Sequence, residues 1–114
     1  MTRVDTTVEA LVSQLDSDFF AALAEPVRVS IVRELLLLGG PADINTITER
    51  LPQDRSGVSR HLKLMLDAGI VSCEKVGRHK YYQLEGGAIL QRFEGLLDAT
   101  RAAMTSCCPW VGDE

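Results

Sequence analysis

The chain has 114 residues, 46% of them hydrophobic, with a formal net charge of −4 and three cysteines. That length allows one domain around one hydrophobic core, and no apolar run nears the ~20 residues of a membrane-spanning helix, so no membrane partner is expected. An odd cysteine count with two neighbours is a poor disulfide framework, and the Met1–Thr7 start has no basic region leading into an apolar segment, so no signal peptide and a cytoplasmic location are expected.

Val4, Val8, Leu11, Val12 and Leu15 recur at helical spacing and predict an amphipathic helix over 5–15. Asp16-Ser17-Asp18 caps a second helix or marks a bend, and Phe19, Phe20, Leu23 and Ala24 follow. Pro26 suits the first turn of the next helix, where its missing N–H costs nothing. Val27 to Leu38 is strongly apolar, with Ile31, Val32, Leu35 and Leu38 inward, and Gly39-Gly40-Pro41 ends it. Asp43 caps a short helix whose buried side holds Ile44, Ile47 and Leu51. Leu51-Pro52-Gln53 is then a turn into the most informative stretch of the chain.

That stretch begins at Asp54, a good N-cap because its carboxylate accepts from first-turn N–H groups. Val58, Leu62, Met65 and Leu66 make one apolar helix face; Arg55, Ser56, Ser59, Arg60 and Lys63 fall on the others. Such side chains reach phosphates and base edges when a helix lies in the major groove. Gly69 stops the helix. Ile70 to Leu84 follows as two short β-rich runs joined around Gly77-Arg78, with Lys75, Arg78, His79 and Lys80 near the turn. A basic-tipped hairpin beside a recognition helix predicts a winged helix-turn-helix. The acidic net charge does not oppose this. Residues 55–80 hold six cations against two anions, a net +4, which leaves −8 for the rest. Local charge governs duplex binding within a Debye length of ~8 Å.

His61 and His79, the two histidines, sit on the predicted recognition helix and wing, so phosphate or base contact is favoured over metal ligation, with exposed polar packing as the plainer role. Arg78 and Lys80 at a hairpin tip favour DNA over an ordinary solvated charge pair. Tyr81 and Tyr82 read as wing and core packing. Gly86-Gly87 separates the wing from a last helix, about 88–104, with Ile89, Phe93, Leu96, Leu97 and Met104 apolar. The expected organisation is a mainly α domain over 1–104 and a cysteine-containing tail over 105–114. A winged helix needs little beyond its three core helices and wing. The first and last helices are therefore candidates for a homodimer interface, which would set two recognition helices about one duplex turn, ~34 Å, apart.

Five segments in order resemble the ArsR/SmtB family of winged-helix repressors: Phe20–Arg28, Ile31–Leu35, Val58–Lys63, Leu66–Val71 and Gly77–Leu84, within residues 17–100. The resemblance implies a homodimer that represses a metal- or metalloid-resistance operon and releases double-stranded operator DNA when an inducer binds. It puts Ser56, Ser59, Arg60 and His61 at the DNA face. No cofactor is required for DNA binding in this scheme. Two family sites are missing. The helix before the recognition helix, Asp43–Arg50, lacks the Cys-x-Cys pair of many arsenic sensors, and the last helix lacks the histidines of the zinc and cobalt sensors.

Cys107-Cys108 resembles the C-terminal thiols of other family members, although the third cysteine usual there is absent from 109–114. Thiolates select soft ions. Trivalent arsenic or antimony is the first choice of inducer and mercury the second. The plain alternative is a tail with two incidental cysteines. Cys73, in the first wing strand, reads as a small residue packed under the hairpin, with a third-ligand role as the rival. Two other functions stay open. A redox- or persulfide-switched repressor would use Cys73 or intersubunit tail thiols. A metal-carrying thiol protein would have no use for the basic surface. No Ser/His/Asp or Cys/His set and no Gly-rich phosphate loop supports an enzyme.

Overall fold

Ile31, Ile47, Val58, Leu62, Met65 and Ile70 have essentially no exposed surface, and they come from three helices and the link that follows the third. Burying them together is what ties these segments into one core. The computed structural model describes residues 6–107.

Helix α1 (Thr6–Leu15) leads into α2 (Asp18–Leu23), where the Ser17 hydroxyl accepts from the Phe20 N–H at 3.2 Å. Of the two options at Asp16–Asp18, a cap is therefore realised. Helix α3 (Pro26–Leu38) starts at Pro26, with the Glu25 carboxylate accepting from the Val27 and Arg28 N–H groups. Ile31 and Leu35 are buried and Val32 and Leu38 pack against them, as the periodicity predicts. Helix α4 (Ile44–Glu49) has Asp43 as its N-cap, bonded to the Thr46 N–H at 2.8 Å. Helix α5 (Arg55–Asp67) buries Val58, Leu62 and Met65, and Gly69 beyond it takes φ +79°, where a Cβ is strained.

The wing is β2 (Val71–Val76) paired antiparallel with β3 (His79–Leu84), from Val71↔Leu84 to Val76↔His79. Only two residues connect them. Gly77 takes φ +64° while Arg78 keeps a negative φ, the pattern of a type II′ hairpin turn. A third strand, β1 (Ala42–Asp43), adds to the other edge of β3 with Ala42↔Tyr82 and Asp43↔Tyr81, giving the order β1-β3-β2. The sequence predicts a hairpin alone; the extra strand is two residues long and carries no periodic signal.

Helix α6 (Gly86–Cys107) begins two residues earlier and ends three later than predicted. The Glu85 carbonyl accepts from the Ile89 N–H at 2.9 Å, so Gly86-Gly87 form the helix's first turn instead of a spacer. Residues 105–107 are helical, and the expected boundary between domain and tail falls inside α6. Helix α1 packs along α6 and has no buried residue of its own. On this pair Val12, Leu15, Leu90, Phe93 and Leu97 are each about half exposed. The molecule is correspondingly long, 57 × 27 × 24 Å. Among the described residues no helix is long and apolar enough to cross a membrane.

Candidate nucleic-acid interface

The first turn of α5 is fixed from behind. Asp54 Oδ1 accepts from the Gly57 N–H at 2.8 Å and from the Ser56 hydroxyl at 3.3 Å, while Val58 and Leu62 anchor the opposite face in the core. Arg55, Ser56 and Ser59 are thereby turned outward. The antiparallel wing brings Lys75, Arg78, His79 and Lys80 to the same side. Together they line a cleft of about 670 Å³, with Asp43, Ile44 and Asn45 from the start of α4 and Tyr82 at its wall.

Six of the nine residues read from the sequence as DNA contacts meet in this cleft: Arg55, Ser56, Ser59, Arg78, His79 and Lys80. Arg60 and Lys63 are exposed on α5 but do not line it. His61 is placed differently. Its Nδ1 lies 3.2 Å from an Arg28 guanidinium nitrogen and 3.7 Å from Glu25 Oε2, on the side of α5 that meets α3. The sequence places Lys75 near the basic turn and Asp43 at a helix cap without reading either as a DNA contact, and it does not single out Asn45. Lys75 pairs directly with Lys80 across the hairpin. Asp43 and Asn45 reach the cleft only because β1 docks on β3, which the sequence does not signal.

Asp43 is the one carboxylate in the cleft lining. The Thr46 backbone N–H, then the Thr46 hydroxyl, hold its carboxyl below the usual range; burial opposes them, and the positive charge of His79 and Arg55 adds to them. Tyr82 is pushed above the ordinary phenol value by burial and by its neighbour Cys73. The pair faces across the ladder, Cys73 against Tyr82. Cys73 is exposed, not packed under the hairpin as the sequence suggests, and it lies on the edge strand β2, which has a neighbour on one side alone.

Cys107 ends α6, and Cys108 lies outside the described residues. The backbone separates Cys73 from Cys107. Along α6, Cys107 is about 31 Å from Gly86 at the 1.5 Å helical rise. Cys73 faces Tyr82 within ~5.5 Å, and four residues from Tyr82 to Gly86 span at most ~14 Å. Within one chain the two Cα atoms are therefore at least ~11 Å apart, too far to be bridged as a disulfide or to share one ion. Among the described residues no three His, Cys, Asp or Glu side chains gather in a metal-holding arrangement.

The chain is similar to known regulators. A family model described as a helix-turn-helix domain matches residues 23–74. The arsenical resistance operon repressor of Bacillus subtilis (strain 168) is 33% identical over 81 residues, covering 71% of this chain and 75% of that protein. The crystal structure of a possible transcriptional regulator for arsenical resistance is 31% identical at a TM-score of 0.59, covering 76% of this chain and 84% of that one. The solution structure of a homodimeric winged helix-turn-helix DNA-binding domain from Mycobacterium bovis has a TM-score of 0.61 at 21% identity, over 92% and 93% of the two chains, a likeness of fold.

Proposed function

This chain belongs to the ArsR/SmtB family of winged-helix transcriptional regulators, and we propose that it is a homodimeric repressor that releases double-stranded operator DNA when a thiophilic ion binds Cys107 and Cys108. Trivalent arsenic or antimony is the first choice of ion and mercury the second. The observation that carries the DNA half is the cleft, where one helix end and one hairpin tip converge with four permanent cations and two hydroxyls. Backbone phosphates take the wing cations, and base edges in the major groove take Arg55, Ser56 and Ser59. Arg60 and Lys63 flank this surface as further phosphate contacts.

Homodimer formation rests on the apolar face of α1 and α6. Five large side chains each leave about half their surface in water there, and a second copy would cover them. Cys107 stands at the end of that same α6. An ion held by Cys107 and Cys108 therefore acts on the element that sets the distance between two recognition helices. A coupling free energy of ~3 kcal/mol weakens operator affinity ~150-fold, provided the ion prefers the released state. Cys73 is too far from Cys107 of the same chain to share its ion, so a third sulfur comes from the partner chain or a small thiol, or is absent. The backbone gap also disfavours a redox switch that joins Cys73 to Cys107 of the same chain.

The test is fluorescence anisotropy of the reduced protein on duplex DNA from upstream of its own gene, titrated with arsenite, antimonite, mercury, cadmium and zinc. Loss of anisotropy with one thiophilic ion, retained in Cys73→Ser and absent in Cys107→Ser and Cys108→Ser, is the expected result. Release that persists in both tail variants overturns the ion assignment. Absence of any DNA binding overturns the reading as a whole.

A further inference from the structure

We propose that His61, although it sits in the recognition helix, is a positioning residue that seats this helix on the start of α3, and that protonation exchanges its partner from Arg28 to Glu25. This rests on α5 being the DNA-reading helix. Three contacts carry it. The Arg28 Nη1 donates to His61 Nδ1 at 3.2 Å, and Arg28 Nε donates to the Ala22 carbonyl of α2 at 2.6 Å. The Glu25 Oε2 that caps α3 lies 3.7 Å from the same Nδ1. One nitrogen thus faces a permanent donor and, slightly farther off, a permanent acceptor.

A guanidinium has no lone pair to offer, so in this arrangement Nδ1 is unprotonated and the imidazole N–H is on Nε2. A proton on Nδ1 sets donor against donor at Arg28. The acceptor within reach is then Glu25, and closing 3.7 Å to a charge-assisted bond of about 2.8 Å moves the ring by roughly 1 Å toward the α3 N-terminus. Arg28 keeps its bond to Ala22, so α3 stays on α2 while the bridge from α5 moves from Arg28 to the α3 N-cap and the seat of α5 shifts with the ring. The surrounding charges are few. Glu25 and Arg28 face His61 from α3; Asp18 of α2 and Asp67 of α5 line the adjacent cavity beside Arg28. Among the described residues α4 and β2 bring no carboxylate within ion-pair distance of His61.

The sign of the effect separates this role from a simple charge effect. Added positive charge on a DNA-binding protein tightens binding as pH falls. A shift of α5 off its seat that loses one contact to DNA weakens it, by about 2- to 10-fold, the worth of one hydrogen bond. The experiment measures duplex affinity from about pH 8 to about pH 5.5, the range in which imidazoles titrate, in a His79→Gln background that removes the other histidine. The expected result is weaker binding on acidification, and a flat profile after His61→Gln, since glutamine still accepts from Arg28 but does not titrate. Parallel profiles, or tightening that depends on His61, overturn the proposal.

Imidazole ¹⁵N spectra of the otherwise unaltered chain decide the matter even if His61→Gln does not fold. They should show a bare Nδ1 at about pH 8, and an Nδ1–H signal at about pH 5.5 that moves in Glu25→Gln. An Nδ1–H tautomer at about pH 8, or an Nδ1–H signal that Glu25→Gln leaves unmoved, refutes the exchange. If no duplex binds at any pH, the DNA-binding assignment falls while these spectra still judge the His61 contacts.

Discussion

Replacing Leu97 by Asp should split the proposed dimer while leaving each protomer folded. Leu97 is 50% exposed on α6, so its free half is available to a partner. Burying a whole leucine is worth about 1.5–3 kcal/mol, hence the remaining half contributes about 1 kcal/mol, and two-fold symmetry counts it twice. Leu97→Asp loses that and sets an unpaired carboxylate into each half of an apolar contact, which costs at least as much again. The sum is at least ~4 kcal/mol, or a ~1,000-fold weaker dimer. Within one protomer the position is half in water, so the thermal midpoint should move little. Sedimentation equilibrium across a concentration series gives the dimer constant, and circular dichroism checks the fold. Unchanged dimerisation with an intact fold would place the interface elsewhere. Coincident loss of the helical signal would instead make Leu97 a folding residue and refute the energy division used here.

Arg78→Ala and Lys80→Ala should each weaken DNA binding about equally for all sequences and lower the slope of log K against log salt by about 1, read by anisotropy at several salt concentrations. Arg55→Ala should instead relax discrimination at one base pair, with a loss of about 1–3 kcal/mol on the preferred sequence only, measured by competition among single-base variants. Leu62→Ala, at a position with no exposed surface, should cost about 2–5 kcal/mol in urea unfolding with little change in slope. Asp43 and Glu34 are both held below the ordinary carboxyl range, Asp43 first by the Thr46 N–H and Glu34 first by Arg50, 2.7 Å away. For lowered carboxyls the stabilisation is fully present above the unfolded value, near pH 4, and is lost as pH falls through the folded one. Acid unfolding should therefore shift to higher pH in Asp43→Ala and in Arg50→Ala, followed by circular dichroism.

Most of the architecture is written in short-range signals. Ser17, Glu25, Asp43 and Asp54 all cap the helices that follow them, and the burial of Ile31, Leu35, Ile47, Val58, Leu62 and Met65 follows from 3.6-residue spacing. The sequence identified all of these except Glu25. Gly77-Arg78 announces the hairpin for the same local reason. The residues that escape are those whose position depends on a contact across the fold. Ala42-Asp43 become a strand because β3 has a free edge beside them. Cys73 is exposed on the edge strand β2, a placement that a β-rich run cannot declare. His61 has the right residue type and the right helix for DNA, but its direction is set by Glu25 and Arg28, more than thirty positions earlier in the chain. The Gly86-Gly87 pair reads as a break because glycine is a poor helix former, yet in a first turn no intrahelical N–H bond is at stake.

The short strand β1 has a mechanical consequence for how the wing meets a groove. Asp43 both pairs with Tyr81 and caps α4, so the base of the hairpin is riveted by main-chain bonds to the helix-turn-helix itself. Beyond Tyr81 that support stops, and Lys75 to Lys80 stand as a two-stranded ribbon, of a kind that twists readily. The stem is stiff and the tip compliant. In the proposed DNA complex, helix and wing would therefore arrive as one tool at fixed angle, while the four basic side chains at the tip would adjust to local groove width without disturbing the angle at which α5 enters.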